Sequence, residues 1–128
     1  MARQYIEALG GDKWEDAYHH LTEMGDEVIH VVGDAFRQQS NGVLRRLLTR
    51  ILWQTRSDRA VPLLSEALED SQPQVWKEAL DGLVAIGSED ALVCLLTARQ
   101  RTEMSKASWL DEGILQIRER QSPPRNSK

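Results

Sequence analysis

The chain has 128 residues, 41% hydrophobic and 28% charged, the balance of one globular domain long enough to bury a core without disulfide or metal staples. Its formal charge of −4 argues against a general nucleic-acid binder, and its single cysteine, Cys94, excludes an intramolecular disulfide and fits a reducing, cytoplasmic setting. The first fourteen residues carry an acid at Glu7 and no long apolar run, so no signal peptide is expected, and no stretch approaches the ~18 apolar residues of a membrane span.

Taken in chain order, the spacing of apolar residues predicts helices over 2–9, 12–24, 26–39, 41–56, 58–70, 73–87, 89–101 and 105–120. The fourth is the clearest: Val43, Leu44, Leu47, Leu48, Ile51 and Leu52 follow the i, i+3, i+4, i+7 rule of a buried stripe. Val75, Ala79, Leu83 and Ile86 repeat that pattern, as do Leu110, Ile114 and Ile117. Nothing shows the sustained period-two alternation of a sheet protein. The punctuation agrees. Ser57-Asp58 and Ser88-Glu89 offer helix N-caps, Gly25 and Gly87 stand just past helix ends, and Pro62 and Pro73 fall in first turns where a missing N–H costs nothing. The tail 121–128, rich in Pro, Ser and charge, is expected to be disordered beyond a single domain over 1–120.

The helices come in repeats. Trp14, Ala17, Leu21, Met24, Gly25 and Glu27 lie over Trp76, Ala79, Leu83, Ile86, Gly87 and Glu89 without a gap, a displacement of 62 residues or two steps of 31. Leu47, Leu48 and Ile51 fall over Ala79, Leu80 and Leu83 at 32, and Leu83 and Ile86 over Ile114 and Ile117 at 31. Two short helices cannot bury an apolar face alone, so about four such hairpins must stack into an all-α, right-handed curved solenoid. Charge is laid out in bands along it. Residues 1–40 hold eight acids and three Lys/Arg, 41–60 one acid and five Arg, 61–90 seven acids and one Lys, and 91–128 four acids and seven bases.

The third unit, with Ala60-Val61-Pro62, Leu64, Ala67-Leu68, Asp70, Pro73, Val75, Ala79, Leu83 and Ile86-Gly87, resembles the short HEAT-like repeats also seen in phycobilin lyases. It departs at Trp76, where those repeats usually have arginine. The resemblance implies an α-α superhelix and a habit of binding on the concave side, which the second helix of each hairpin lines.

On that side, Arg46, Arg50 and Trp53 stand at i, i+4 and i+7 beside Arg45 and Thr49, and the next second helix brings Trp76, Lys77, Glu78 and Asp81. Arginine and tryptophan are the residues that most often anchor interfaces, so Arg45, Arg46, Thr49, Arg50, Trp53, Trp76, Lys77 and Asp81 are the expected partner-binding residues. The competing structural reading packs both tryptophans between helices and pairs the arginines with neighbouring acids. Glu15, His19 and Glu23 share one face, but no second element offers ligands and the repeated His-Glu pairs of HEAT-like iron hydroxylases are absent, so no metal and no cofactor are expected. Cys94 takes the repeat position of Leu63 and reads as a small core residue. With no nucleophile elbow, P-loop or dinucleotide turn, the chain reads as a non-enzymatic protein-binding module, an adaptor or inhibitor, in its sharpest form an immunity protein neutralising a basic toxin. A DNA-binding, alkylpurine-glycosylase-like role and a phycobilin-lyase-like chaperone role are the alternatives, with nucleic acid disfavoured by the net charge and oligomeric state left open.

Overall fold

The computed structural model describes residues 2–101 and 104–121, and among these the chain is helical throughout, without strands. The helices form four hairpins: α1 (Ala2–Ala8) with α2 (Trp14–Glu23), α3 (Ile29–Gln38) with α4 (Gly42–Gln54), α5 (Val61–Leu68) with α6 (Pro73–Ile86), and α7 (Glu89–Arg101) with α8 (Met104–Gln121). First helices pack on first helices and second on second, giving two layers. The second-helix layer runs α2, α4, α6, α8, and its α4–α6 seam is the most extensive contact in the molecule. No helix among the described residues is long and apolar enough to cross a membrane.

The buried positions are those of the repeat. Leu21, Ile51, Leu83 and Ile114, one per hairpin at the same register, are all buried, and the core runs unbroken through them. Each such side chain contributes about 1.5–3 kcal/mol on leaving water, which is how short helices of modest propensity are held. The fourth stripe departs from expectation at one end: Leu48, Ile51 and Leu52 are buried, Leu44 and Leu47 only half so, and Val43 is 60% exposed. Its N-terminal half faces a seam that α2 does not close.

The helix ends follow local chemistry. Ser57 Oγ accepts from Arg59 N at 3.1 Å and Ser88 Oγ from Ala91 N at 3.2 Å, as the sequence predicts. Asn41 is a third cap, its Oδ1 accepting from Val43 N and Leu44 N at 2.9 and 3.1 Å. Two helices expected from positions 26 and 58 instead open with 3-10 turns, Gly25–Val28 and Asp58–Ala60, before α3 and α5. Tight i+3 bonding at an N-terminus satisfies donors that have no helical partner. Gln121, placed in the tail by composition, closes α8, and its side-chain amide donates to Gly87 O at 3.2 Å; residues 122–128 of that expected tail lie outside the described residues.

The charge bands are stitching. Arg37 meets Glu66, Arg45 meets Asp70, Arg46 and Arg50 meet Glu78, and Arg101 meets Glu69, each pair joining one hairpin to its neighbour. Cys94 is half-buried and burial pushes its thiol pKa up, so it stays a protonated thiol near neutral pH.

One repeat position carries strain. Gly25 and Gly87 follow α2 and α6 in the left-handed conformation, at φ 65° and 62°, where glycine has no side-chain penalty. Past the end of α4, the second helix between them, Arg56 is also left-handed, at φ 55°. A side chain there costs about 1–2 kcal/mol, partly offset by the Arg56 guanidinium lying 5.4 Å from the centre of the Trp53 ring. Arg56→Gly is therefore expected to stabilise the chain by about 0.5–1 kcal/mol, read as a higher urea midpoint with unchanged slope.

Candidate functional site

The centre of the second-helix layer is built on one buried carboxylate. Glu78, in the middle of α6, is 5% exposed and receives donors from three successive turns of α4. Arg46 Nε donates to its Oε1 at 3.2 Å. Arg50 donates through Nε to Oε2 at 3.1 Å and through a terminal nitrogen to Oε1 at 3.2 Å. Trp53 Nε1 donates to Oε2 at 2.8 Å. The i, i+4, i+7 spacing places all three groups on one face of α4, and the Trp53 side chain packs against Gly82, where a Cβ would come within 2.5 Å of Trp53 Cβ and Cδ1. Only glycine lets the two helices approach this closely.

Burial alone would push the Glu78 carboxyl up, but the hydrogen bonds from Arg50, Trp53 and Arg46 outweigh it and hold the pKa below the usual carboxylate range. The bond to Glu78 likewise raises Arg50 above its ordinary value. Asp81, one turn on, moves the other way: burial and the neighbouring Glu78 charge raise it, against Arg50 and Arg46. Tyr18 of α2 reaches the same cluster. Its hydroxyl accepts from Gln54 Nε2 at 2.9 Å, and burial raises its pKa.

The expected partner-binding residues divide by where they lie. Arg45 is spent on structure: it donates to Phe36 O and Gln39 O at 2.8 and 2.6 Å, closing the carbonyl end of α3, and pairs with Asp70 while lying 4.0 Å from the centre of the Phe36 ring. Thr49 is fully buried, its hydroxyl bonded to Arg45 O at 2.8 Å, and cannot touch a partner in this conformation. Trp76 is also buried, edge-on to Trp109 at 6.0 Å with Lys106 above its ring at 5.0 Å. Arg46, Arg50, Trp53, Lys77 and Asp81 keep solvent-facing surface. Arg46 is nearly half-exposed and spends only Nε on Glu78. Lys77 lies 4.4 Å from the centre of the Trp109 ring.

The sequence put Glu78 on this face but left it out of the expected partner-binding residues, and Trp109 was not singled out. The signal for both is register, because Glu78 is 32 residues past Arg46 and Trp109 is 31 past Glu78. The histidines have other partners: His20 stacks on Tyr5 at 4.6 Å and bonds to Asp16 O, and His19 sets its edge against Tyr18 at 5.6 Å. Among the described residues no group of three or more His, Cys, Asp or Glu is arranged to hold a metal ion.

Replacing Glu78 by glutamine would leave cationic and indole donors short of their acceptor in a seam largely closed to water, at an expected cost of about 2–3 kcal/mol. Because the folded-state pKa is depressed, Glu78 contributes stability above the ordinary glutamate pKa, and that contribution disappears as pH falls through the folded-state value. Urea unfolding of the wild type and Glu78→Gln should therefore differ at neutral pH, and the difference should shrink as pH falls below the ordinary glutamate range.

Comparison with known proteins adds the following. Residues 29–106 match the HEAT-repeat family. No curated protein matches the sequence. The fold is similar to that of human deoxyhypusine hydroxylase, solved in complex with glycerol, at a TM-score of 0.71 and 20% identity over 93% of this chain. The chain spans 44% of that protein's length. This similarity corrects the expectation of a non-catalytic module. An enzyme is built on the same superhelix, so the fold and the lack of a recognisable linear motif do not make the chain non-enzymatic. At this identity the likeness establishes the fold alone, whereas the match over most of the sequence establishes the family: the chain belongs to the HEAT-repeat proteins, whose repeats commonly mediate protein interactions.

Proposed function

We infer that the second-helix layer binds a protein partner, with Arg46, Arg50, Trp53, Lys77 and Asp81 as its contact residues. The observation that carries this reading is the state of Arg46. Its side chain is 48% exposed, yet Glu78, at 6% side-chain exposure, holds it by Nε, which anchors a guanidinium that solvent still reaches. A guanidinium fixed in this way loses little conformational freedom on binding, and its planar fork suits a carboxylate or a backbone carbonyl. Trp53 and Lys77 extend the same face with apolar surface and a second cation. Arg45, Thr49 and Trp76 support this face from beneath. The cations on the layer call for acidic groups on the partner's contact surface. The net charge of −4, which suggested a basic partner, sums over bands that the fold distributes to different places.

An affinity pull-down from the native host, comparing the wild type with an Arg46→Glu/Lys77→Glu variant of matched helicity, tests the reading. One stoichiometric protein is expected with the wild type and at least about tenfold less with the variant. Equal capture by both would remove this face as the binding surface.

A further inference from the structure

The four hairpins use one device at two seams, and only one of the two is filled. Trp14 on α2 and Trp76 on α6 hold the same repeat position, 62 residues apart. Trp76 is 7% exposed because Trp109 of the following second helix meets it edge-on. The residue of α4 in the register of Trp109 is Arg46, stepped back by 31 to Glu78 and by 32 again. Arg46 does not cover Trp14: Glu78 draws it by Nε towards α6. Trp14 is left 39% exposed on one wall of a cleft of about 520 Å³, between the turn Leu9–Gly11 that leads into α2 and the face of α4. Val43, Leu44 and Leu47 form its apolar lining, and Arg46 and Arg50 its charged edge. This is why half of the α4 stripe is not buried.

Resting on the protein-binding reading of this layer, we propose that the cleft takes an aromatic side chain flanked by acidic residues from a partner polypeptide. The aromatic ring closes Trp14 as Trp109 closes Trp76, and the flanking carboxylate meets the outer N–H groups of Arg46. Two features fix this chemistry. The apolar lining needs a large side chain, and an edge-on ring is the partner this fold already gives a tryptophan at the equivalent position. Arg46 and Arg50 at the cleft edge share the one carboxylate of Glu78 in their hydrogen bonds, and Arg46 gives it only Nε, so an anion is the complementary neighbour for the rest of that guanidinium. Arg46 at the rim and apolar surface at the floor also give the polar rim and apolar centre of a small binding hot spot.

The test labels the four tryptophans with 5-fluorotryptophan, assigns Trp14 by its loss in Trp14→Phe, and follows the fluorine resonances during peptide titration. The probe is the blocked peptide acetyl-Gly-Glu-Phe-Glu-Gly-amide, compared with its Gln-Phe-Gln and Glu-Ala-Glu counterparts. A saturable shift of the Trp14 resonance by the first peptide is expected, with each counterpart about tenfold weaker. Arg46→Ala should erase the preference for Glu over Gln while keeping that for Phe over Ala. A silent Trp14 resonance at millimolar peptide, equal shifts by all three peptides, or a shift confined to Trp109 would each overturn the proposal. If the pull-down still captures a partner through Arg46 and Lys77 while Trp14 stays silent, the cleft falls and binding on the second-helix layer stands.

Discussion

The arrangement of the second-helix layer depends on a single carboxylate taken out of water. Glu78 in a dry seam is tolerable only if its charge is answered on the spot, and α4 answers it three times, through Arg46, Arg50 and Trp53. That requirement ties the register of α4 against α6, because a slip of one turn would break up the set of three donors on the carboxylate. It also dictates Gly82, because Trp53 reaches Glu78 only by lying on bare backbone. The same bond holds Arg46 at the edge of the opening beside Trp14. One ion cluster thus borders a tight seam on one side and a loose one on the other.

Much of this was legible before any coordinates. Helices, hairpin pairing and most buried positions follow from apolar spacing and the 31-residue step, because burial within one helix is a property of that helix's own stripe. The Ser57 and Ser88 caps and the glycines at 25 and 87 were readable for the same local reason. What escaped depends on two helices at once. Glu78 reads as an ordinary polar residue until α4 is laid across it, and Val43 as an ordinary stripe residue until α2 fails to cover it. Arg45 and Thr49 look like surface groups by type, but the first is consumed by the carbonyl end of α3 and the second by α4's own backbone. The 3-10 turns before α3 and α5 leave no trace in hydrophobic spacing.

The step from sequence to activity failed for a related reason. A motif search along the chain detects chemistry only where the reacting groups are close in sequence. In a stacked-hairpin protein, groups that meet in space sit a repeat apart, as Arg46 and Glu78 do across 32 positions. The absence of a linear signature was therefore weak evidence, and the similarity to a hydroxylase shows that this superhelix can frame an enzyme. On such a frame the seams decide which side chains face outward, and on the second-helix layer these include guanidinium, ammonium, indole and carboxylate groups.

The seams are also unlike one another. α4 offers two arginines and an indole, which fit the glutamate and glycine of α6. α6 offers Leu80, Val84 and Trp76, which fit Gly113 and Trp109 of α8. Neither face could receive the other's partner without stranding a charge or filling a glycine's space with a ring. The hairpins consequently carry an assembly order. Where repeats are near-copies, a newly made chain can stack out of sequence or trade hairpins with a neighbouring molecule at little cost. Here the second and third hairpins each present a face fitted to the one that follows, so the differences that blur the repeat in the sequence work against misassembly at those two seams.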